Sequence, residues 1–244
     1  MSGARAIVVV PTYDEAPNVE RLVREIAARG LEVLVVDDNS PDGTGEIAER
    51  LRAELPGLHV VHRPGKLGLG TAHVAGFKYA LARGFDLIFS MDADFSHDPA
   101  ALPAFLEEAK RCDVVVGTRY MPGGRVVNWP LRRQLLSRWA NFYVRTILGL
   151  RVPDATGAYR CYHRHVLEAI NLDTLAGHGY AFVVEILYRC HRAGFTIGAV
   201  PITFVERRAG ASKMTRQVIL ESVILPWRLR FSRPVVSAAE PPST

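Results

Sequence analysis

Short apolar runs alternate with amphipathic stretches along the first half of the chain. The runs cover residues 6–10, 32–36, 58–61, 87–91 and 114–116 and are rich in Val and Ile; residues 19–28, 45–55, 71–82 and 100–110 between them repeat apolar positions at helical period. Strand-length runs separated by single helices predict βαβ units, hence a mostly parallel sheet covered by helices on both faces. The expected fold class is α/β. In such a sheet, ligand-meeting side chains collect in the loops after the C-terminal ends of the strands. Those loops are polar here: Pro11-Thr12-Tyr13-Asp14-Glu15, residues 37–44, residues 66–70 and Asp92-Ala93-Asp94. Four such ends imply one cleft.

Beyond Gly117 the pattern changes. A turn at Pro122-Gly123-Gly124 precedes an arginine-bearing helix over 131–148, helices over 163–170 and 182–193, and a strand over 196–205. A last helix, 215–231, carries Val218, Ile219, Val223, Ile224, Trp227 and Phe231, with Pro226 expected to bend it. It is expected to pack back onto the domain. No clean linker separates 1–117 from 118–233, so both are read as halves of one domain, followed by a polar tail over 234–244.

Composition narrows the class. With 244 residues, 48% hydrophobic and 23% charged, the chain is globular and long enough for a sizeable core. The longest stretch without Asp, Glu, Lys or Arg is the 13 residues 193–205, shorter than the roughly 18 that a spanning helix needs. Residues 1–5 run straight into the first strand with no signal-peptide pattern, so a cytoplasmic location is expected. Cys112, Cys161 and Cys190 show no metal or disulfide spacing and read as core residues. The net charge of +5 is unevenly placed: residues 1–117 hold 12 basic and 18 acidic side chains, residues 118–244 hold 18 and 7. That separation suggests carboxylates holding a metal in one half and arginines meeting phosphate, nucleic acid or an anionic membrane in the other.

The chemistry is most concentrated at Met91-Asp92-Ala93-Asp94. Two carboxylates at i and i+2 after a strand suit Mg²⁺ or Mn²⁺ bridging to a substrate phosphate, and Asp37-Asp38 ends a neighbouring strand. Other nucleotide chemistries recede. The first strand is not followed by Gly-x-Gly-x-x-Gly, and the chain contains no Gly-x-x-x-x-Gly-Lys-Ser/Thr loop and no Gly-x-Ser-x-Gly elbow.

Taken in order, Pro11 to Glu15, Val36-Asp37-Asp38, Ser40 to Thr44, Lys66 to Thr71, Met91 to Pro99, Gly117-Thr118-Arg119-Tyr120, and Phe204 to Arg207 with Gly210, Ser212 and Lys213 resemble the signature of family 2 GT-A glycosyltransferases of the dolichol-phosphate (polyprenyl-phosphate) mannose synthase type. The resemblance covers residues 6–215. It implies a GT-A fold with a nucleotide and metal half, 1–117, and an acceptor half, 118–233. It implies a nucleotide pocket of Pro11, Tyr13, Glu15, Val36 and Asp38, in which Glu15 and Asp38 accept from base or ribose and Tyr13 offers a flat face. Asp92, Ala93 and Asp94 match the metal and diphosphate segment, with Ser96 as a further metal ligand. Arg207, Lys213 and Lys66 match charge compensation of the donor phosphates, and Gly210 suggests a lid. The lipid phosphate falls to Arg119, Arg133 and Ser137; Arg133 and Ser137 are i and i+4, on a ridge that Asn141 continues. Asp14, Ala158 and Val183 depart from the family's usual residues. His97 reads as structural, and Trp129 and Trp139 as core or interface residues.

The activity so implied is inverting transfer of mannose from GDP-mannose to polyprenyl (dolichyl) phosphate, dependent on Mg²⁺ or Mn²⁺, with Asp92, Asp94, Arg119 and Arg133 as catalytic residues. UDP-glucose or UDP-GlcNAc is the alternative donor. A nucleic-acid binder is disfavoured, because the acidic cleft repels the backbone. Many relatives add C-terminal transmembrane helices; this chain is expected to bind the cytoplasmic face of a membrane peripherally or through an anchoring partner protein.

Overall fold

The structure, a computed structural model, describes residues 4–175, 180–206 and 216–232. Strands β1 (Ala6–Thr12), β2 (Glu32–Asp37), β3 (Leu58–His62), β4 (Leu87–Ser90) and β5 (Val114–Thr118) alternate with helices α1 (Ala16–Ala27), α2 (Thr44–Glu54), α3 (Leu69–Ala82) and α4 (Leu102–Glu108). This is the βαβ series that the periodicity predicts. The second half adds β6 (Arg125–Val127), α5 (Leu131–Leu148), β7 (Arg160–His163), α6 (Arg164–Ala169), α7 (Tyr180–Arg192), β8 (Ile197–Pro201), β9 (Thr203–Val205) and α8 (Arg216–Phe231).

Seven strands form one sheet in the order β3-β2-β1-β4-β7-β5-β8, and β6 pairs with β9 in a small second sheet. The large sheet is parallel except for β7, which runs antiparallel to both β4 and β5. Two strands, β6 and β7, escape the sequence pattern, because three- and four-residue segments that begin with Arg carry no periodic signal. The single strand expected over 196–205 is two strands in different sheets. The chain turns at buried Ile202, whose N–H donates to Thr118 O at 3.0 Å. The helix expected from residue 100 begins with a 3-10 turn, Pro99–Ala101.

Alternate residues of β1 divide the core. Val8 and Val10 pack with Val19, Leu22 and Ile26 of α1, Ala48 and Leu51 of α2, and Phe105 of α4. Ile7 and Val9 face the other layer, with Ala72, Phe77 and Ala80 of α3, Val166 of α6 and Ile186 of α7. At Gly76 a Cβ would lie 2.3 Å from Val9 Cγ1, so only glycine lets α3 seat this closely on β1. Cys161 and Cys190 are buried and Cys112 is partly buried.

Candidate active site

β1 lies between β2 and β4, so its loop meets theirs at the point where the strand order reverses. Pro11 and Val36 stand side by side in the β1–β2 register, one step before Thr12 and Asp37. The Val36 side chain is fully buried in the α3-side core, so only its main chain is left to serve the expected nucleotide pocket. Backbone amides of the first loop are caught by side chains of the second: Asp14 N–H by Ser40 Oγ (3.2 Å), Glu15 N–H by Thr44 Oγ1 (3.0 Å) and Ala16 N–H by Asp42 Oδ2 (2.9 Å). These bonds cap α1 from another loop, since the helix has no side-chain cap of its own. Asp37 anchors the set, accepting from Thr12 Oγ1 at 3.0 Å and Ser40 Oγ at 2.5 Å.

Two sequence expectations change in detail here. Asp38 pairs with Arg63 at 2.7 Å and accepts from Leu67 N–H at 3.1 Å. It therefore shapes the pocket wall first, and meets a ligand only with its remaining lone pairs. Lys66 Nζ sits 3.6 Å from the centre of the Tyr13 ring, so a cation covers the face expected to receive a base. Glu15, the residue that caps α1, accepts from Asn18 Nδ2 at 2.8 Å.

β4 ends at Ser90, so Asp92 and Asp94 stand on a turn rather than on extended strand. Asp94 Oδ1 accepts Ser96 N–H at 2.9 Å, and Phe95 between them holds φ +60°. Asp14 and Asn39, in the loops after β1 and β2, share this left-handed backbone, with φ of +60° and +57°. Strain of this kind in non-glycine residues gathers where the backbone serves a site. Ala93 is buried between the carboxylates. His97 is buried and accepts Asp92 N–H on Nδ1 at 3.1 Å. Burial pushes its imidazole pKa down against the pull of Asp92 and Asp94, so it orients the turn as a neutral ring.

Among the described residues no three His, Cys, Asp or Glu side chains cluster as a complete metal cage. Two carboxylates in one turn, with a buried Ser96 hydroxyl that has no hydrogen-bond partner among the described residues, match a hard cation that takes its other oxygens from a ligand and water. Arg207, Gly210 and Lys213 lie outside the described residues.

On the acceptor side, Arg119 spends its planar fork inside the protein. Nε and Nη2 reach Asp154 at 2.7 and 3.0 Å, and Nη2 reaches Thr156 Oγ1 at 2.8 Å. Burial alone would raise the Asp154 carboxyl pKa; the guanidinium outweighs it and holds the group below the ordinary range. The Arg119 guanidinium carbon also lies 5.0, 5.4 and 5.8 Å from the ring centres of Tyr120, Phe204 and Trp129. Arg133 pairs with Glu206 and lies over Trp129 at 4.1 Å, while Ser137 accepts from Tyr120 Oη at 2.7 Å. Asn141 instead turns inward to bond Pro153 O and Ala155 N–H. The ridge predicted from spacing is thus a set of paired groups. Asp154 and Glu206 are the partners that spacing could not reveal, because each comes from a remote segment, whereas Trp129 stands four residues before Arg133.

β9 lies beside the metal turn through a bridge between His97 and Phe204. It thereby brings residue 206, and the Arg133 it pairs with, to the same cleft. Asp92 and Asp94, the nucleotide loops and Arg119 are therefore held by one end of one sheet and the strand laid across it.

Residues 7–170 match the pattern of glycosyl transferase family 2. Over 222 residues the chain is 45% identical to an undecaprenyl-phosphate mannosyltransferase of Micrococcus luteus, spanning 90% of this chain and 91% of the relative. It is 43% identical over 232 residues to a polyprenol monophosphomannose synthase of Mycolicibacterium smegmatis, spanning 93% and 88%. Among solved structures, glucosyl-3-phosphoglycerate synthase of Mycobacterium tuberculosis with Mn²⁺, UDP-glucose and phosphoglyceric acid superposes with a TM-score of 0.67 at 20% identity, over 94% of this chain and 80% of that one. A mannosyltransferase of Pyrobaculum calidifontis with GDP-Man and Mn²⁺ gives 0.55 at 19% identity, over 93% and 73%. These distant structures share the fold, and the family match runs from β1 through α6, which leaves β9 outside it. The chain belongs to glycosyl transferase family 2.

Proposed function

We propose that the protein transfers mannose from GDP-mannose to a polyprenyl monophosphate at a membrane surface, inverting the anomeric centre. The observation that carries this reading is the near-full-length identity to two polyprenyl-phosphate mannose enzymes, joined to a paired-aspartate turn at the expected strand end. The acceptor needs no general base. Its second pKa lies near 6, so at neutral pH the phosphate oxygen attacks the sugar C1 as the C1–O bond to GDP breaks. The electron pair leaves with the diphosphate.

Asp92 and Asp94, with Ser96, would hold Mg²⁺ or Mn²⁺. When bound, the cation offsets charge that builds on the departing diphosphate. Pro11, Tyr13, Glu15, Val36, Asp38 and Ala93 line the donor pocket in this reading. Lys66, Arg207 and Lys213 compensate donor phosphate charge, with Lys66 leaving Tyr13 when the base enters. Arg119, Arg133 and Ser137 align the lipid phosphate without protonating it; Asp154 keeps Arg119 aimed, and Arg133 exchanges Glu206 for the ligand.

Among the described residues no helix is long and apolar enough to cross a membrane. Leu131, Leu135, Trp139 and Phe142 of α5 and Trp227 and Phe231 of α8 are each at least half exposed. An apolar face of this size beside arginines suits a bilayer surface.

The test is incubation of purified protein with polyprenyl phosphate and labelled GDP-mannose, UDP-glucose or UDP-GlcNAc, followed by lipid extraction. Label should enter the lipid from GDP-mannose, stop on chelation and return with Mg²⁺ or Mn²⁺. Asp92→Asn and Asp94→Asn should each lower transfer by about 100-fold or more with unchanged thermal midpoint. Transfer from a UDP-sugar alone, or undiminished activity in chelator, would refute the reading.

A further inference from the structure

Arg138, Asn141, Phe142 and Arg145 recur at i, i+3, i+4 and i+7 on α5. They form one wall of a cavity of about 400 Å³ whose other side includes Arg119, Tyr120 and Pro153. No carboxylate lines it. Arg119 and Arg133 each have an acidic partner; Arg138 and Arg145 form no ion pair with a described residue. Arg145 Nε is buried and has no hydrogen-bond partner among the described residues. A buried cationic donor left unpaired is costly, and a phosphate oxygen is the acceptor that a guanidinium edge fits.

What surrounds the cavity indicates which phosphate. Leu131, Leu135 and Trp139 form an exposed stripe on the adjacent side of α5, and Phe142, 65% exposed, belongs to both stripe and cavity. Trp139 stacks on Tyr143, which bonds Trp227 Nε1 at 2.8 Å, so α8 extends the same apolar face. A bilayer resting on that face places its headgroup phosphates where apolar surface gives way to arginine.

Building on the lipid-acceptor reading above, we propose that this cavity is a second phosphate site, next to the acceptor groups Arg133 and Ser137 and sharing Arg119 as a common wall, that takes the headgroup phosphate of an anionic membrane phospholipid on Arg138 and Arg145. It holds the enzyme at the surface with the acceptor cleft facing the lipid. The site adds selectivity for anionic lipid to the unspecific grip of the apolar stripe.

The test is sedimentation of the full chain with phosphatidylcholine vesicles, with and without phosphatidylglycerol, in the absence of sugar donor and acceptor. Each basic residue at an anionic surface changes partitioning about fivefold, so Arg138→Gln/Arg145→Gln should lose about 25-fold on phosphatidylglycerol vesicles and little on phosphatidylcholine. Arg50→Gln/Arg52→Gln removes the same charge from α2 and should keep wild-type partitioning. Soluble glycerol phosphate and inorganic phosphate should not displace bound protein. Transfer to detergent-dispersed polyprenyl phosphate should persist in the cavity variant. Should the Gln pair fail to fold, Arg138→Lys/Arg145→Lys keeps the charge, forfeits the planar forks, and should still lose preference for phosphatidylglycerol. Equal loss in the α2 control, displacement by soluble phosphate, wild-type partitioning of the cavity variant, or loss of its detergent activity would each overturn the proposal. Because the vesicle assay needs no sugar transfer, it reads the cavity even if the donor assignment fails.

Discussion

Arg119 and Asp154 form a buried ion pair, with Asp154 fully buried. Such a pair adds little over an apolar substitute, yet losing one partner strands the other charge, at a cost of about 3–5 kcal/mol. Asp154→Ala should therefore lower the unfolding free energy read from denaturant titration by that order and disorder the Arg119 guanidinium. A loss below about 1 kcal/mol would contradict a buried pair. The pair also sets a pH dependence. The folded carboxyl pKa is depressed, so its stabilisation is fully present above the unfolded value near 4 and fades as pH falls through the lower folded value. Acid unfolding followed by circular dichroism should lose that increment in Asp154→Ala. Arg160 supports the same loop from below: it is buried without a carboxylate and donates to the carbonyls of Ala155, Gly157 and Val183. One arginine thus holds the loop that holds another.

α3 begins in the Lys66–Gly70 loop and packs on β1 through Gly76, so a change in its seat moves the loop that carries Lys66. Gly76→Ala gains helix propensity, but its methyl falls inside the Val9 side chain. Overpacking should prevail, lowering stability by about 1–3 kcal/mol and shifting the thermal midpoint down; an unchanged or raised midpoint would show that the contact relaxes freely. α5 has three uses along one length. Asn141, Val144 and Leu148 are buried, Arg133 and Ser137 meet Glu206 and Tyr120, and Leu135, Trp139 and Phe142 face solvent. α8 packs back onto the domain along one side only: Leu225 and Leu229 pack on the core while Ile224, Trp227 and Phe231 stay exposed.

Across the whole molecule, the acidic half builds the donor loops and the basic half bears the exposed apolar face. In the membrane-surface reading proposed above, attraction to an anionic bilayer would come from charges outside the core, where screening acts. Raising ionic strength from 0.01 to 0.15 M shortens the Debye length from about 30 to about 8 Å, so partitioning onto anionic vesicles should fall while binding to neutral vesicles holds. A flat salt response in sedimentation would mean that the apolar stripe alone makes the contact.

The strand series, the Asp92-Ala93-Asp94 turn and the nucleotide loops were legible along the chain, because each is a local pattern: an apolar period, a run of acids, or a glycine spacing that neighbouring residues impose on one another. The antiparallel insertion of β7 was not, since four residues beginning with Arg160 become a strand only when β4 and β5 offer edges on both sides. The state of the site residues was equally hidden. Arg119 reads as a phosphate ligand in sequence, and only the folded chain adds that it is also held by Asp154, 35 positions away; Lys66 on Tyr13, Glu206 on Arg133 and the cavity between Arg138 and Arg145 arise in the same way. Local spacing specifies which groups a loop can present, whereas charge pairing and burial depend on distances that exist only after remote segments have packed together.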